Sequence, residues 1–207
     1  MDNLSKQYVI SFFNRHLDIF GNRPEALRWT HKGQQEHYRN ILEVDKFIRG
    51  SSILDFGCGK GDLYGYIKER GIDVKYTGID INESLINLAT TNHPEARFLC
   101  LDILQDKLDE LFDHIIICGV FNLKFQDIEN TVKEILTKLF AICKNSLAFN
   151  ALSAHNPQKE YELNYLYPEE LFKFAVTTLS PYVSLRHDSM NYVFNLFIYR
   201  QKQEIRE

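Results

Sequence analysis

The stretch from Ser51 to Tyr66, SSILDFGCGKGDLYGY, decides the fold. Ile53 and Leu54 make a short apolar run that stops at an acid, Asp55. Gly57, Gly59 and Gly61 follow at alternate positions, and Leu63, Tyr64 and Ile67 then fall at helical spacing. A buried strand, a glycine turn and a helix start, in that order, make a nucleotide-type site. The glycines let backbone approach a ligand with no Cβ in the way, and they permit positive φ where the turn is tight.

The spacing narrows the choice of nucleotide. A dinucleotide loop places its glycines as G-x-G-x-x-G, and counted from Gly57 the third position falls on Asp62. An acid there would oppose a pyrophosphate at the helix start. A P-loop needs Gly-Lys-Ser/Thr, whereas Lys60 is followed by Gly61 and Asp62. The turn therefore suits a ligand without phosphates but with a cation or amine for Asp55 to meet. As it stands, D-F-G-C-G-K-G (Asp55 to Gly61) resembles motif I, acid-x-G-x-G-x-G, of the class I S-adenosylmethionine (SAM)-dependent methyltransferases. The chain looks like a small, bacterial-type, single-domain member. A turn that merely joins strand to helix is the plain alternative.

Composition bounds the rest. With 207 residues, 44% apolar and 25% charged, the chain reads as one domain with a real core, in the range of ordinary globular proteins. A net charge of −4 offers no long-range attraction to a polyanion, so nucleic acid is not an expected partner. Cys58, Cys100, Cys118 and Cys143 stand far apart without a C-x-x-C, which reads as reduced thiols in a cytoplasmic protein. No apolar run approaches the ~20 residues of a membrane span, and no H-E-x-x-H or similar spacing supports a metal.

Outward from the glycine loop, Leu4 to Phe20 repeat at helical spacing and end at Gly21. Asn22 to Gly33 is loop-like and carries the only tryptophan, Trp29. A second helix is expected from about Gln35 to Ile48, with Asp45 on its inner face. Residues 1–50 are thus a helical cap or lid over a core spanning 51–207. Trp29 reads equally as core and as part of an acceptor pocket. Val74 to Asp80 is a second strand ending in an acid about 20 residues past the glycines, the position that suits two ribose hydroxyls. Capping the next helix is the other reading of Asp80, a task Asn82 serves as well.

Further strands are expected at Arg97 to Leu101, Ile115 to Cys118 and Ser146 to Leu152, with a long helix from Gln126 to Ile142. A polar and aromatic loop, Ser153 to Tyr167, is longer than most connections and so reads as functional. A helix opens at Pro168. Two last strands, Tyr182 to His187 and Tyr192 to Tyr199, are joined by a turn at Asp188 to Asn191. Strands alternating with helices give an α/β, doubly wound, Rossmann-like fold. The resemblance implies a seven-stranded, mostly parallel sheet whose last strand is antiparallel.

The resemblance also implies a site. SAM is held by Asp55, Gly57, Cys58, Gly59, Gly61, Leu63, Asp80 and Ile81, with Asp102 on the adenine amino group and the Ile103 amide on its ring. The Gly119 carbonyl meets the methionine amine, and Phe121 and Asn122 border the reacting methyl, where an aromatic face suits a sulfonium. Phe121 reads equally as core. At 119–122, Gly-Val-Phe-Asn replaces the N/D-P-P-Y/F of many amino-directed members, which speaks against adenine, cytosine or glutamine nitrogen as acceptor. A small-molecule acceptor is expected among Trp29, Phe121, Tyr161 and Tyr165. His155 is the candidate base and Asn122 a second catalytic candidate. A NAD(P)-dependent oxidoreductase, a SAM-binding scaffold without catalysis and an aminopropyl transferase are the rival readings.

Overall fold

The computed structural model describes residues 1–44 and 48–203. Ser52–Phe56 forms strand β1, with Ile53 and Leu54 both wholly buried. That is the mark of a strand covered by helices on both faces. β1 pairs in parallel with β2 (Lys75–Asp80) and β4 (Phe112–Ile117). β3 (Arg97–Cys100) extends the sheet beyond β2, and β5 (Cys143–Leu152) beyond β4. β7 (Val193–Tyr199) runs antiparallel between β5 and the edge strand β6 (Tyr182–Met190). The order β3-β2-β1-β4-β5-β7-β6 is the seven-stranded mixed α/β sheet that the resemblance implies. It reverses direction between β1 and β4, and the carboxyl ends of those strands open a ligand crevice there.

Six α-helices among the described residues accompany the sheet: α1 (Asn3–Phe20), α2 (His31–Ile41), α3 (Asp62–Glu69), α4 (Glu83–Asn92), α5 (Ile128–Ala141) and α6 (Pro168–Phe174). Alternate strand residues serve opposite faces. Leu54, Ile115, Ile117, Leu147 and Phe149 pack with Val132, Leu136 and Leu139 of α5. Ile53, Ile116, Ala148 and Phe197 pack with Ile41 of α2 and Leu63 and Ile67 of α3. α2 is therefore part of the sheet's helical layer. α1 is different: Phe12 and Ser5 are its buried residues, Leu4 is 79% exposed, and its apolar face looks into a cavity.

Several boundaries differ from the sequence reading. α2 begins at His31 rather than near Gln35, because Thr30 caps it by accepting from the Gly33 amide at 3.1 Å. It ends at Ile41 and passes into a 3₁₀ turn at Leu42–Val44; Asp45 lies outside the described residues. α5 starts at Ile128, since Asp127 stands at φ 55° and breaks the pattern. The turn expected at Asp188 to Asn191 lies one step later. β6 runs on to Met190, and Met190 pairs with Val193 across Asn191-Tyr192, with Tyr192 at φ 55°. The register shift between Arg186 and Met190 absorbs the extra residues as a bulge.

Candidate active site

The glycine loop is tied to β2 rather than free. The Gly57 and Cys58 amides both donate to the Ile79 carbonyl, at 2.8 and 3.0 Å. The Gly59 amide donates to Asp80 Oδ2 at 2.9 Å, and the Asn82 amide to Asp80 Oδ1 at 2.9 Å. Gly57 stands at φ 70°, and a Cβ there would come within 2.5 Å of Val120 Cγ2. Only glycine lets the loop after β1 lie this close to the Val120 side chain that follows β4. Asn82, not Asp80, caps α4, accepting from the Ser84 and Leu85 amides. Its Nδ2 donates to Asn14 Oδ1 at 2.9 Å, which ties α1 down over the end of β2.

Two acids face this crevice. Asp55 is 3% exposed and accepts from the Tyr76 hydroxyl. Burial pushes its carboxyl up to about 7, the Tyr76 hydrogen bond opposes that rise, and Asp80 and Asp62 add to it. Loss of solvation also raises the Asp80 carboxyl, against the pull of the Asn82 and Gly59 amides. Burial raises both carboxyls, and a cation placed between them would lower both again. Asp62 is committed elsewhere, to the buried Lys60 at 2.6 Å and to Gln34 of α2 at 2.8 Å.

The crevice is one cavity, walled by Ile81, Leu85, Leu101, Ile103, Leu104 and Ile135 on its apolar side and roofed by Val9, Ile10 and Phe13 of α1. Asp55, Gly57, Cys58, Gly59, Leu63, Asp80, Asp102 and Gly119 line it as well. Asp102 arrives with both oxygens engaged: Oδ1 accepts from the Leu104 amide at 3.0 Å and Oδ2 pairs with Lys6 Nζ of α1 at 2.9 Å. A second cavity adjoins the first and shares Phe13, Leu27, Trp29, Gly119 and Leu123 with it, continuing to Arg28, Asn122, Leu152, Glu160 and Leu163. Arg28 reaches Glu160 at 3.1 Å and Glu162 at 3.5 Å across its rim.

Phe121 is 3% exposed and stacks between Phe56 and Phe149 at 6.2 and 6.0 Å, so it packs in the core and lines the first cavity at once. Asn122 lines the second cavity, and its Oδ1 is buried without a hydrogen-bond partner among the described residues. Gly61 lies behind the loop, facing His93 and Phe98. It lines neither cavity, and three more expected residues also fall outside both. The side chain of His155 is 52% exposed and pairs with Glu169 at 2.9 Å, Tyr161 is 90% exposed, and the Tyr165 hydroxyl accepts from the Glu160 amide at 3.0 Å. The 153–167 loop folds back along β5 through Ser153 and Leu166 and bridges Leu123 through Leu163. Its leucine, rather than its tyrosines, reaches the cavity. Tyr38, Asn150 and the cavity-facing side of α1 were not read as part of the site; Asn82 was read only as a possible cap, and the helical spacing of α1 did not show what its apolar face meets.

Fold and site define a Rossmann-like protein with a glycine loop and two acids, Asp55 and Asp80, at the crevice between β1 and β4. Comparison with known proteins agrees. Residues 53–140 match the family model described as a methyltransferase domain. A Mycobacterium tuberculosis protein named provisionally as a methyltransferase is 28% identical over 156 residues, covering 71% of this chain and 92% of its own length. The malonyl-[acyl-carrier protein] O-methyltransferase of Acetivibrio thermocellus is 33% identical over 138 residues, 66% of this chain but 47% of that protein, so the chain spans about half of it. Among solved structures, the magnesium protoporphyrin IX methyltransferase of Synechocystis PCC 6803 with bound S-adenosylhomocysteine (SAH) shares the fold. Its TM-score is 0.69 at 16% identity, over 95% of this chain and all of that one. Over residues 53–140 the chain is thus similar to the methyltransferase-domain family, and its fold is that of solved methyltransferases. No helix among the described residues is long and apolar enough to cross a membrane.

Proposed function

We propose that this chain binds SAM in the first cavity and methylates a small-molecule acceptor held in the second, as one folding unit working in the cytoplasm. The observation that carries the reading is the buried Asp55, lifted to about 7 beside Asp80 at the mouth of a glycine loop. SAM is the cofactor that suits it: its ammonium and sulfonium answer the acids Asp55 and Asp80. When bound, it supplies a methyl group already activated on sulfur. Asp80 keeps a lone pair on each oxygen for the ribose hydroxyls. Ile81, Leu101, Ile103 and Leu104 offer the apolar wall that an adenine ring requires, and Asp102 shares its carboxylate between Lys6 and the ring's amino group. Trp29 and Asn122 border the acceptor, with Asn122 Oδ1 the free hydrogen-bond acceptor for a hydroxyl or amine. α1 excludes water, and the rigid strand ends hold both reactants in line.

Calorimetry with SAM, SAH, NAD and NADP tests the cofactor assignment. Micromolar heats with the first two and none with the others are expected; no heat with SAM or SAH would sink the reading. Incubation with methyl-labelled SAM and fractionated metabolites tests the transfer, and label confined to small molecules is the expected result. Tight binding without label on any fraction would mark a scaffold instead.

A further inference from the structure

Trp29, the sole tryptophan of the chain, stands in the wall common to the two cavities. Its Cζ2 lies only 2.3 Å from where a Cβ on Gly119 would be, so the indole rests directly on the backbone at the end of β4. Behind it a buried chain of hydrogen bonds runs from α2 to that same backbone. The Gly119 amide donates to Asn150 Oδ1 at 2.7 Å, and Asn150 Nδ2 faces His37 Nδ1 at 3.1 Å. The His37 ring meets the indole edge-on, with centroids 4.4 Å apart. His37 is 6% and Asn150 1% exposed.

The chain has one consistent direction. A backbone amide only donates, so it fixes Asn150 Oδ1 toward Gly119 and turns Nδ2 toward His37. His37 Nδ1 must then accept, which places the ring proton on Nε2. Burial lowers His37 to about 4, so the ring stays neutral at neutral pH and the acceptor is preserved. Neither His37 nor Asn150 lines a cavity; both act through Trp29 and Gly119.

We propose that His37 and Asn150 are positioning residues: together they seat the Trp29 indole against Gly119 and make it the fixed partition facing the methyl group about to be transferred. This rests on the SAM assignment above. If the partition is fixed there, Trp29 is a native reporter that distinguishes a methylated sulfonium from a neutral thioether.

The test excites Trp29 selectively while SAM or SAH is titrated into wild type, His37→Leu and His37→Asn, with calorimetric affinities measured in parallel. In wild type, the SAM-bound and SAH-bound emission are expected to differ in intensity or maximum. In His37→Leu that difference disappears, and Trp29 in the ligand-free protein becomes at least twofold more accessible to acrylamide. Cofactor affinity stays within threefold. His37→Asn, which keeps an acceptor near the Nδ1 position, recovers the difference. A SAM–SAH difference that survives in folded His37→Leu would overturn the proposal. So would a tenfold or greater loss of SAH affinity there, which would make His37 part of the cofactor site. Should His37→Leu fail to give a native circular dichroism spectrum, Asn150→Ser breaks the chain at its other end and is read in the same way. If wild type binds neither ligand, the cofactor assignment fails, and the acrylamide comparison in free protein still decides the positioning.

Discussion

Asp80 braces the glycine loop through Gly59 and Asn82 and still faces the cavity, so its removal costs both a ligand contact and the shape of the loop. Asp80→Ala is expected to weaken SAH binding by about 1–3 kcal/mol, the range for losing a charged hydrogen-bond partner; calorimetry reads it. Asp55 gives a pH signature. Its carboxyl ionises near 3.8 in the unfolded chain but near 7 in the folded one. Between those values the unfolded state binds fewer protons, and wild-type stability falls as pH rises. Asp55→Asn, which still accepts from Tyr76, should therefore be more stable than wild type at pH 8 by roughly 2–4 kcal/mol, with the gain vanishing toward pH 4. Denaturant unfolding at several pH values reads this. SAM affinity should fall about tenfold per pH unit below 7 in wild type, because the incoming cation must displace the Asp55 proton. In the variant that slope is lost. At this scale the acids were legible because each ends an apolar strand. The commitment of Asp102 to Lys6 was not, since those residues lie 96 positions apart.

The helices show what periodicity conveys and what it leaves out. α1 is apolar at helical spacing, but spacing does not distinguish a face that meets a packed core from one that roofs a cavity. Leu4 and Tyr8 share the pattern and remain exposed, while Val9, Ile10 and Phe13 line the crevice. α2 was misplaced at its start because Gly33 looks like a loop residue, whereas it serves as the amide that Thr30 caps. The 153–167 loop was read from its length as functional, and its Glu160 and Leu163 line the second cavity. Which of its residues point inward depends on two bridges: Ser153 with Leu166 closes the loop on itself, and Leu163 pairs it with the distant Leu123. A roof held by the Lys6–Asp102 pair and the Asn82–Asn14 bond should open more readily than the layers beneath it. Amide exchange in α1 is expected to be faster than in α2 and to slow on adding SAH; equal protection with and without SAH would contradict that role.

Across the molecule, the strands and helices were legible as apolar runs, which are local features, while the seven-stranded mixed sheet rested on the resemblance. The two cavities are products of long-range packing and had to be seen. Because α2 completes a helical layer, Ile41→Ala should destabilise the protein by about 2–5 kcal/mol while SAH affinity in the folded fraction stays unchanged, as thermal melts with and without ligand would show. The rims of the two cavities are ionic: Lys6 with Asp102 over one, Arg28 with Glu160 and Glu162 over the other. Partly exposed pairs of this kind contribute at most about 1 kcal/mol, so thermal motion releases each one frequently and separately. With cofactor and acceptor in the two cavities as proposed, each would have its own door, and raising ionic strength should quicken exchange through both while the floor of strand ends stays still.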